Sequence, residues 1–106
     1  MRAVQVRPDL VTSVRSTDLN IILERRAPGA APFDLIVATN ILVYYEPFEQ
    51  ALALANVAAM LRPGGLFLAN TVKDRLPVPT FSAPVPVDVA FDRQGGGDTL
   101  YWLRRN

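Results

Sequence analysis

Cysteine and histidine are both absent from this 106-residue chain. Without cysteine there is no disulfide, no thiolate nucleophile and no zinc–thiolate cluster. Without histidine the most common general base and the usual transition-metal ligand are missing as well. Any chemistry must run on carboxylates, tyrosines, amides or a borrowed cofactor, and no metal is expected. An excess of one charge is lacking too: 11 Lys and Arg stand against 10 Asp and Glu, for a net charge of +1. That balance gives no electrostatic ground for nucleic acid or an anionic membrane as partner. No apolar run approaches the roughly 20 residues of a membrane span. The stretch Met1 to Pro8 carries a charge near each end and no apolar centre, unlike a signal peptide. The expectation is a soluble, cytoplasmic protein.

Half of the residues are apolar, enough for one compact core but not two. No internal repeat or long linker divides the chain, so residues 1–106 read as one domain. The β-branched content of Leu10 to Ser16 predicts a short strand. Asp18 to Arg26 is ambiguous: Thr17 can cap a short helix, yet Asn20 to Glu24 reads equally as strand. Residues 27–32 form a loop on composition. Phe33 to Asn40 (FDLIVATN) is the clearest strand, apolar at nearly every position as in a strand covered on both faces.

Pro47 suits the first position of a helix. The helix is expected to turn Phe48, Leu52, Ala55 and Ala59 inward, flanked by Leu54, Val57, Ala58 and Leu61, and Glu49, Gln50, Ala53, Asn56 and Met60 outward. Arg62-Pro63-Gly64-Gly65 stops it, and Leu66 to Thr71 is a second buried strand. The segment 33–71 is therefore a βαβ unit with parallel strands. Leu35, Val37, Leu52, Ala55, Leu66 and Leu68 are the expected core. In 72–106 a Pro-rich loop precedes two strand-like runs around the turn at Gln94 to Asp98, predicting an antiparallel hairpin.

Phe33-Asp34-Leu35-Ile36-Val37-Ala38-Thr39-Asn40 with Leu42-Val43-Tyr44-Tyr45 resembles the fourth strand of class I S-adenosylmethionine-dependent methyltransferases. The flavour is nearest to the chemotaxis-receptor methyltransferases. Leu61-Arg62-Pro63-Gly64-Gly65-Leu66 resembles that family's turn before strand five, at the family spacing. The resemblance is clear over 33–71, extends plausibly over 10–32 and is topological over 72–106. It implies an α/β fold, a partial Rossmann-like sheet of order 4-5-7-6, S-adenosylmethionine as cofactor and transfer of a methyl group to an acceptor the sequence does not name.

The resemblance also implies site residues. Asn40 and Ile41 fall just after strand four, beside the methionine part of the cofactor, with Tyr45 following. For Asn40 the alternative is an amide that caps the next turn. Asp18 falls where an acidic residue accepts from the adenine amino group, the alternative being a solvated turn residue. In the competing register, with the third strand on Asn20 to Glu24, that role passes to Glu24. Tyr44 and Tyr45 either flank a substrate pocket or pack over the helix start. Gly95 to Gly97 lack the strand-then-helix context of a phosphate cradle and read as the hairpin turn.

The family's grip on its cofactor is a Gly-rich turn after strand one and a carboxylate ending strand two. The six glycines here are Gly29, Gly64, Gly65 and Gly95 to Gly97, and none makes such a turn. Strands one and two are therefore expected to be missing, which leaves Phe33–Asn40 as an unpaired edge open to self-association or a partner chain. Two rival readings stand beside the truncated methyltransferase. One is a non-enzymatic half-domain that completes its sheet through that edge. The other is a nucleotide-binding oxidoreductase fragment, which the C-terminal hairpin argues against.

Overall fold

In the computed structural model, residues 3–27, 29–70 and 80–106 are described. Of the sequence readings, Pro28, Thr71, Pro77 and Pro79 lie outside them. The run Phe33–Ala38 forms β1, and Leu61–Ala69 forms β2 parallel to it, joined by helix α2 over Pro47–Met60. Val85–Ala90 and Gly97–Arg104 form β3 and β4, the expected antiparallel hairpin. With β4 antiparallel to β2, the sheet has the order β1-β2-β4-β3, which is the predicted 4-5-7-6. The only helix before β1 among the described residues is α1, Pro8–Ser13.

That helix corrects the strand expected over Leu10 to Ser16. Pro8 sits in its first turn with Asp9, and the hydroxyls of Thr12 and Ser13 bond back to Pro8 and Leu10 carbonyls, at 3.0 and 2.6 Å. These local bonds outcompete β-branching because α1 buries nothing and no sheet neighbour offers a ladder. Asp18 to Arg26 becomes neither strand nor helix, but a turn at 21–23. No part of 10–24 pairs with β1, whose only strand neighbour among the described residues is β2.

Helix α2 starts where expected. Pro47 needs no amide partner there, and Glu49 Oε1 accepts the Glu46 N–H at 3.1 Å. Its inward face is the correction. Ala53, Leu54, Val57 and Ala58 are buried against Ala38, Phe67 and Leu103, together with Leu61 just past the helix end. Gln50, Asn56 and Met60 are buried too, whereas Phe48, Ala55 and Ala59 are exposed and Leu52 is half-buried. The stripe 50, 53, 54, 57, 58, 61 follows the helical repeat without a break. Treating both amides as outward residues had rotated it.

The stop after α2 lies inside β2. Leu61 pairs with Phe33, and the next paired residues are Leu66 and Leu35, so the Arg62–Gly65 loop is an irregular insert in the strand. Gly64 takes φ +79°, and a Cβ on Gly65 would sit 2.8 Å from the Arg62 carbonyl oxygen. A Gly65→Ala protein is therefore expected to lose stability by about 1 kcal/mol or more, read from its urea midpoint.

Burial on the sheet is one-sided. Phe67 and Leu103 face α2 and are buried, but Leu35 and Val37 are about half exposed and Leu66 and Leu68 are only half-buried. The expectation of β1 covered on both faces fails because the described residues place a helix on one face alone. The Cα radius of gyration is 15.4 Å, against about 13 Å for a compact chain of this length.

Candidate functional site

Beyond Ala38 the chain turns sharply at Asn40, which adopts φ +60°. Asparagine tolerates this left-handed conformation better than most side chains. Asn70, at the end of β2, holds it. Its Oδ1 accepts the Asn40 N–H at 2.9 Å and its Nδ2 donates to Asn40 Oδ1 at 2.7 Å. Because a backbone N–H can only donate, Asn70 must turn its oxygen toward it, and the Asn40 Nδ2 is left without a hydrogen-bond partner among the described residues. The same Asn70 Nδ2 lies 3.5 Å from Asp98 Oδ2.

After Asn40, a single 3₁₀ turn at Leu42–Tyr44 leads to α2. Gln50 fixes this turn from below: its Nε2 donates to the Leu42 carbonyl at 2.8 Å and the Tyr45 carbonyl at 3.1 Å. Asn56, two turns along α2, fixes the 20–25 segment. Its Nδ2 donates to the Ile21 and Ile22 carbonyls at 2.7 and 3.0 Å, and its Oδ1 accepts from Arg25 Nε at 3.0 Å. The two buried amides thus secure two segments distant in sequence.

Between these segments lies an open groove of about 600 Å³, lined by Asp18, Leu19, Asn20, Ile21, Ile22, Glu24, Ile41 and Tyr45. Three of the four residues expected from sequence, Asp18, Ile41 and Tyr45, meet there, as does the alternative Glu24. Asn40 is not part of this lining. The carboxylates differ in their engagement. Glu24 Oε1 accepts the Asn20 N–H at 3.1 Å and closes its own turn, whereas Asp18 has no hydrogen-bond partner among the described residues. Tyr44 is exposed, while Tyr45 is half-buried and packs against the core.

Sequence reasoning missed Gln50, Asn56 and Asn70. Gln50 falls in the unbroken inward stripe, but its partners, like those of Asn56, are not marked in the sequence. Asn70 carried no signal, since its role depends on two strand ends meeting in space. Replacing Asn56 by Leu keeps the volume but strips the Ile21 and Ile22 carbonyls of their donor. The expected cost is about 1–3 kcal/mol, with faster amide exchange at Leu23 and Glu24 while α2 stays protected. Unchanged exchange there would mean that the turn holds itself.

No family profile matches the chain. Curated relatives include the chemotaxis protein methyltransferase of Klebsiella aerogenes, 36% identical over 68 residues, and that of Salmonella typhimurium, 31% identical over 67. Each alignment takes in 63% of this chain but 23% of the relative, so the chain matches about a quarter of their length. Among solved structures, the N-methyltransferase NodS from Bradyrhizobium japonicum, in complex with S-adenosyl-L-homocysteine, superposes with a TM-score of 0.60 at 20% identity, covering 82% of this chain and 52% of NodS. Without that ligand NodS gives 0.58 at 18% identity, covering 82% and 57%. Among the described residues no helix is long and apolar enough to cross a membrane. With a sheet of order β1-β2-β4-β3 and this likeness to NodS, the chain has a partial Rossmann-like α/β fold of the kind seen in S-adenosylmethionine-dependent methyltransferases, and in sequence it is similar to about a quarter of the length of the two chemotaxis protein methyltransferases.

Proposed function

We propose that this chain forms part of an S-adenosylmethionine-dependent methyltransferase and contributes one wall of its cofactor site. The observation that carries the reading is the groove beside the C-terminal end of β1, where open α/β sheets bind their ligands. There the Asp18 carboxylate has no hydrogen-bond partner among the described residues, and Ile21, Ile41 and Tyr45 offer apolar surface. These residues fit the adenine end of the cofactor, since a free carboxylate accepts from an amino group and apolar side chains flank a flat ring. Asn40 Nδ2, without a hydrogen-bond partner among the described residues, is a donor suited to a carboxylate or carbonyl acceptor. When bound, S-adenosylmethionine supplies an activated methyl group on a sulfonium sulfur.

Methyl transfer asks the protein for in-line positioning more than for acid–base groups, so a site without histidine or cysteine is compatible with it. The ribose contacts of the family have no counterpart among these residues. The chain by itself is therefore expected to bind S-adenosylmethionine only at millimolar concentrations or worse, and to be inactive alone. Titration with S-adenosylmethionine, followed by backbone amide shifts, tests this. Shifts should cluster at Asp18, Ile21, Ile41 and Tyr45 and should shrink in Asp18→Asn, a change that leaves the fold intact. A low-micromolar dissociation constant would overturn the weak-grip reading. Shifts confined to other regions would overturn the assignment of the groove.

A further inference from the structure

Three polar side chains from three neighbouring strands meet at one end of the sheet. Asn40 follows β1, Asn70 follows β2, and Asp98 lies near the start of β4, in a sheet ordered β1-β2-β4-β3. Register brings them there, since Ala38 pairs with Ala69 and Ala69 with Tyr101. Asn70 is the middle member. Its Oδ1 accepts the Asn40 N–H at 2.9 Å, while its Nδ2 donates to Asn40 Oδ1 at 2.7 Å and lies 3.5 Å from Asp98 Oδ2. Asp98 is itself held, because its Oδ1 accepts the Thr99 N–H at 2.8 Å.

The outer groups have a fixed sense. A backbone N–H only donates and an ionised carboxylate only accepts, whereas an amide does either according to which way it is turned. Turning Asn70 over would set its NH2 group against the Asn40 N–H and its oxygen against Asp98. Both contacts would become repulsive, so the backbone on one side and the carboxylate on the other agree on one orientation. That orientation decides the next amide. Facing Asn70 Nδ2, Asn40 must answer with its oxygen, and its Nδ2 is the half without a partner among the described residues. An isolated asparagine serves a ligand as donor or as acceptor. Beside Asn70, Asn40 is a donor.

We propose that Asn70 is a positioning residue that sets the hydrogen-bonding polarity of Asn40, with Asp98 as its second support. This rests on the reading of the β1 end as part of the cofactor site, and it names what Asn40 takes there: a carboxylate or carbonyl oxygen, not an ammonium or N–H group. A side chain already turned the right way loses less rotational freedom on binding. The same Asn70 oxygen also holds the Asn40 backbone at φ +60°, so one residue fixes both main chain and side chain.

Exchanging acid and amide in N70D/D98N tests the proposal, since net charge and side-chain volume barely change. The new carboxylate at position 70 still accepts the Asn40 N–H, and the new amide at position 98 can donate to it, so the fold should hold. That carboxylate offers no donor to Asn40 Oδ1, so Asn40 must turn over and donate its Nδ2 instead. Water exchange of side-chain amide protons, followed by NMR on the ligand-free chain, reads the change. In the unaltered chain the Asn70 NH2 group should be the protected one and the Asn40 NH2 group the fast one. In N70D/D98N the Asn40 NH2 group should become protected.

Titration with S-adenosylmethionine is the second arm. It should move the Asn40 NH2 resonances in the unaltered chain but not in N70D/D98N, whose affinity should fall about fivefold, as for the loss of one hydrogen bond. Asn70→Ala leaves Asn40 able to turn either way and should lose only about twofold. If Asn70 served the fold alone, that order would be reversed, because alanine removes both contacts and the exchange keeps the one to the backbone. The reversed order would overturn the proposal, as would Asn40 exchange rates indifferent to N70D/D98N. If S-adenosylmethionine moves no resonance of the unaltered chain, the cofactor reading fails, and the ligand-free exchange rates by themselves uphold or overturn the control of Asn40 by Asn70.

Discussion

Phe67→Ala is expected to cost about 3–5 kcal/mol, the range for removing a fully buried aromatic side chain from a core. Phe67 is inaccessible to solvent at the centre of β2, with its ring 6.0 Å from that of Phe81 and tilted by 36°. Its neighbours come from three separate parts of the chain: α2 through Leu54 and Val57, the hairpin through Leu103, and the segment before β3 through Phe81. No other side chain in the cluster is both as large and as enclosed, so no rearrangement readily fills the hole. A domain of this size has only about 5–15 kcal/mol in total, and here one sheet face contributes little. The expected loss is thus a large share of the whole. Urea denaturation checks it, with Phe67→Leu as the control that should retain most of the stability. A change below about 1 kcal/mol would mean that the hairpin and α2 do not share one core through Phe67.

The fold was legible wherever a local rule and a long-range one agreed. Phe33 to Ala38 is apolar at every position but Asp34, Pro47 marks a helix start, and Val85, Val87 and Val89 alternate. Each is a signal within a few residues, and the topology follows because a βαβ unit has one usual hand. The N-terminal segment was not legible for the opposite reason. Leu10 to Ser16 has strand composition, but strand composition stabilises only where a ladder and a packed face exist. With neither available, Pro8, Asp9 and the Thr12 and Ser13 hydroxyls decide in favour of a short helix.

The groove was legible in part. Asp18, Ile41 and Tyr45 follow from the family resemblance, and the structure brings them to one surface. What holds that surface together was not legible, because a glutamine and an asparagine on a helix read as solvent-facing until their partners are known. Gln50 and Asn56 are buried with the carbonyls of Leu42, Tyr45, Ile21 and Ile22 as their acceptors, segments far from α2 in sequence. The choice between Asp18 and Glu24 likewise turned on a contact: Glu24 is occupied by the Asn20 amide, and Asp18 is not.

The same rotation of α2 sets a second large effect. Leu54 is nearly inaccessible and faces Phe67, whereas Leu52 lies toward the flank of the helix and is half-buried. Leu54→Ala should therefore cost about 2–5 kcal/mol, as a buried leucine truncation does. Leu52→Ala should cost clearly less, since its side chain gives up less contact and water fills the space it vacates. Both substitutions replace leucine with the best helix former, so propensity shifts by only a few tenths of a kcal/mol and cannot mask the difference. The pair is informative because the apolar count alone would rank Leu52 and Leu54 equally. Placing Leu52 at the centre of the inward stripe, as the outward reading of Gln50 and Asn56 demands, reverses the order. Urea midpoints for the two variants, measured side by side, decide it. If Leu52→Ala proves the more damaging, α2 packs on the sheet through its other face, and Gln50 and Asn56 do not secure the walls of the groove.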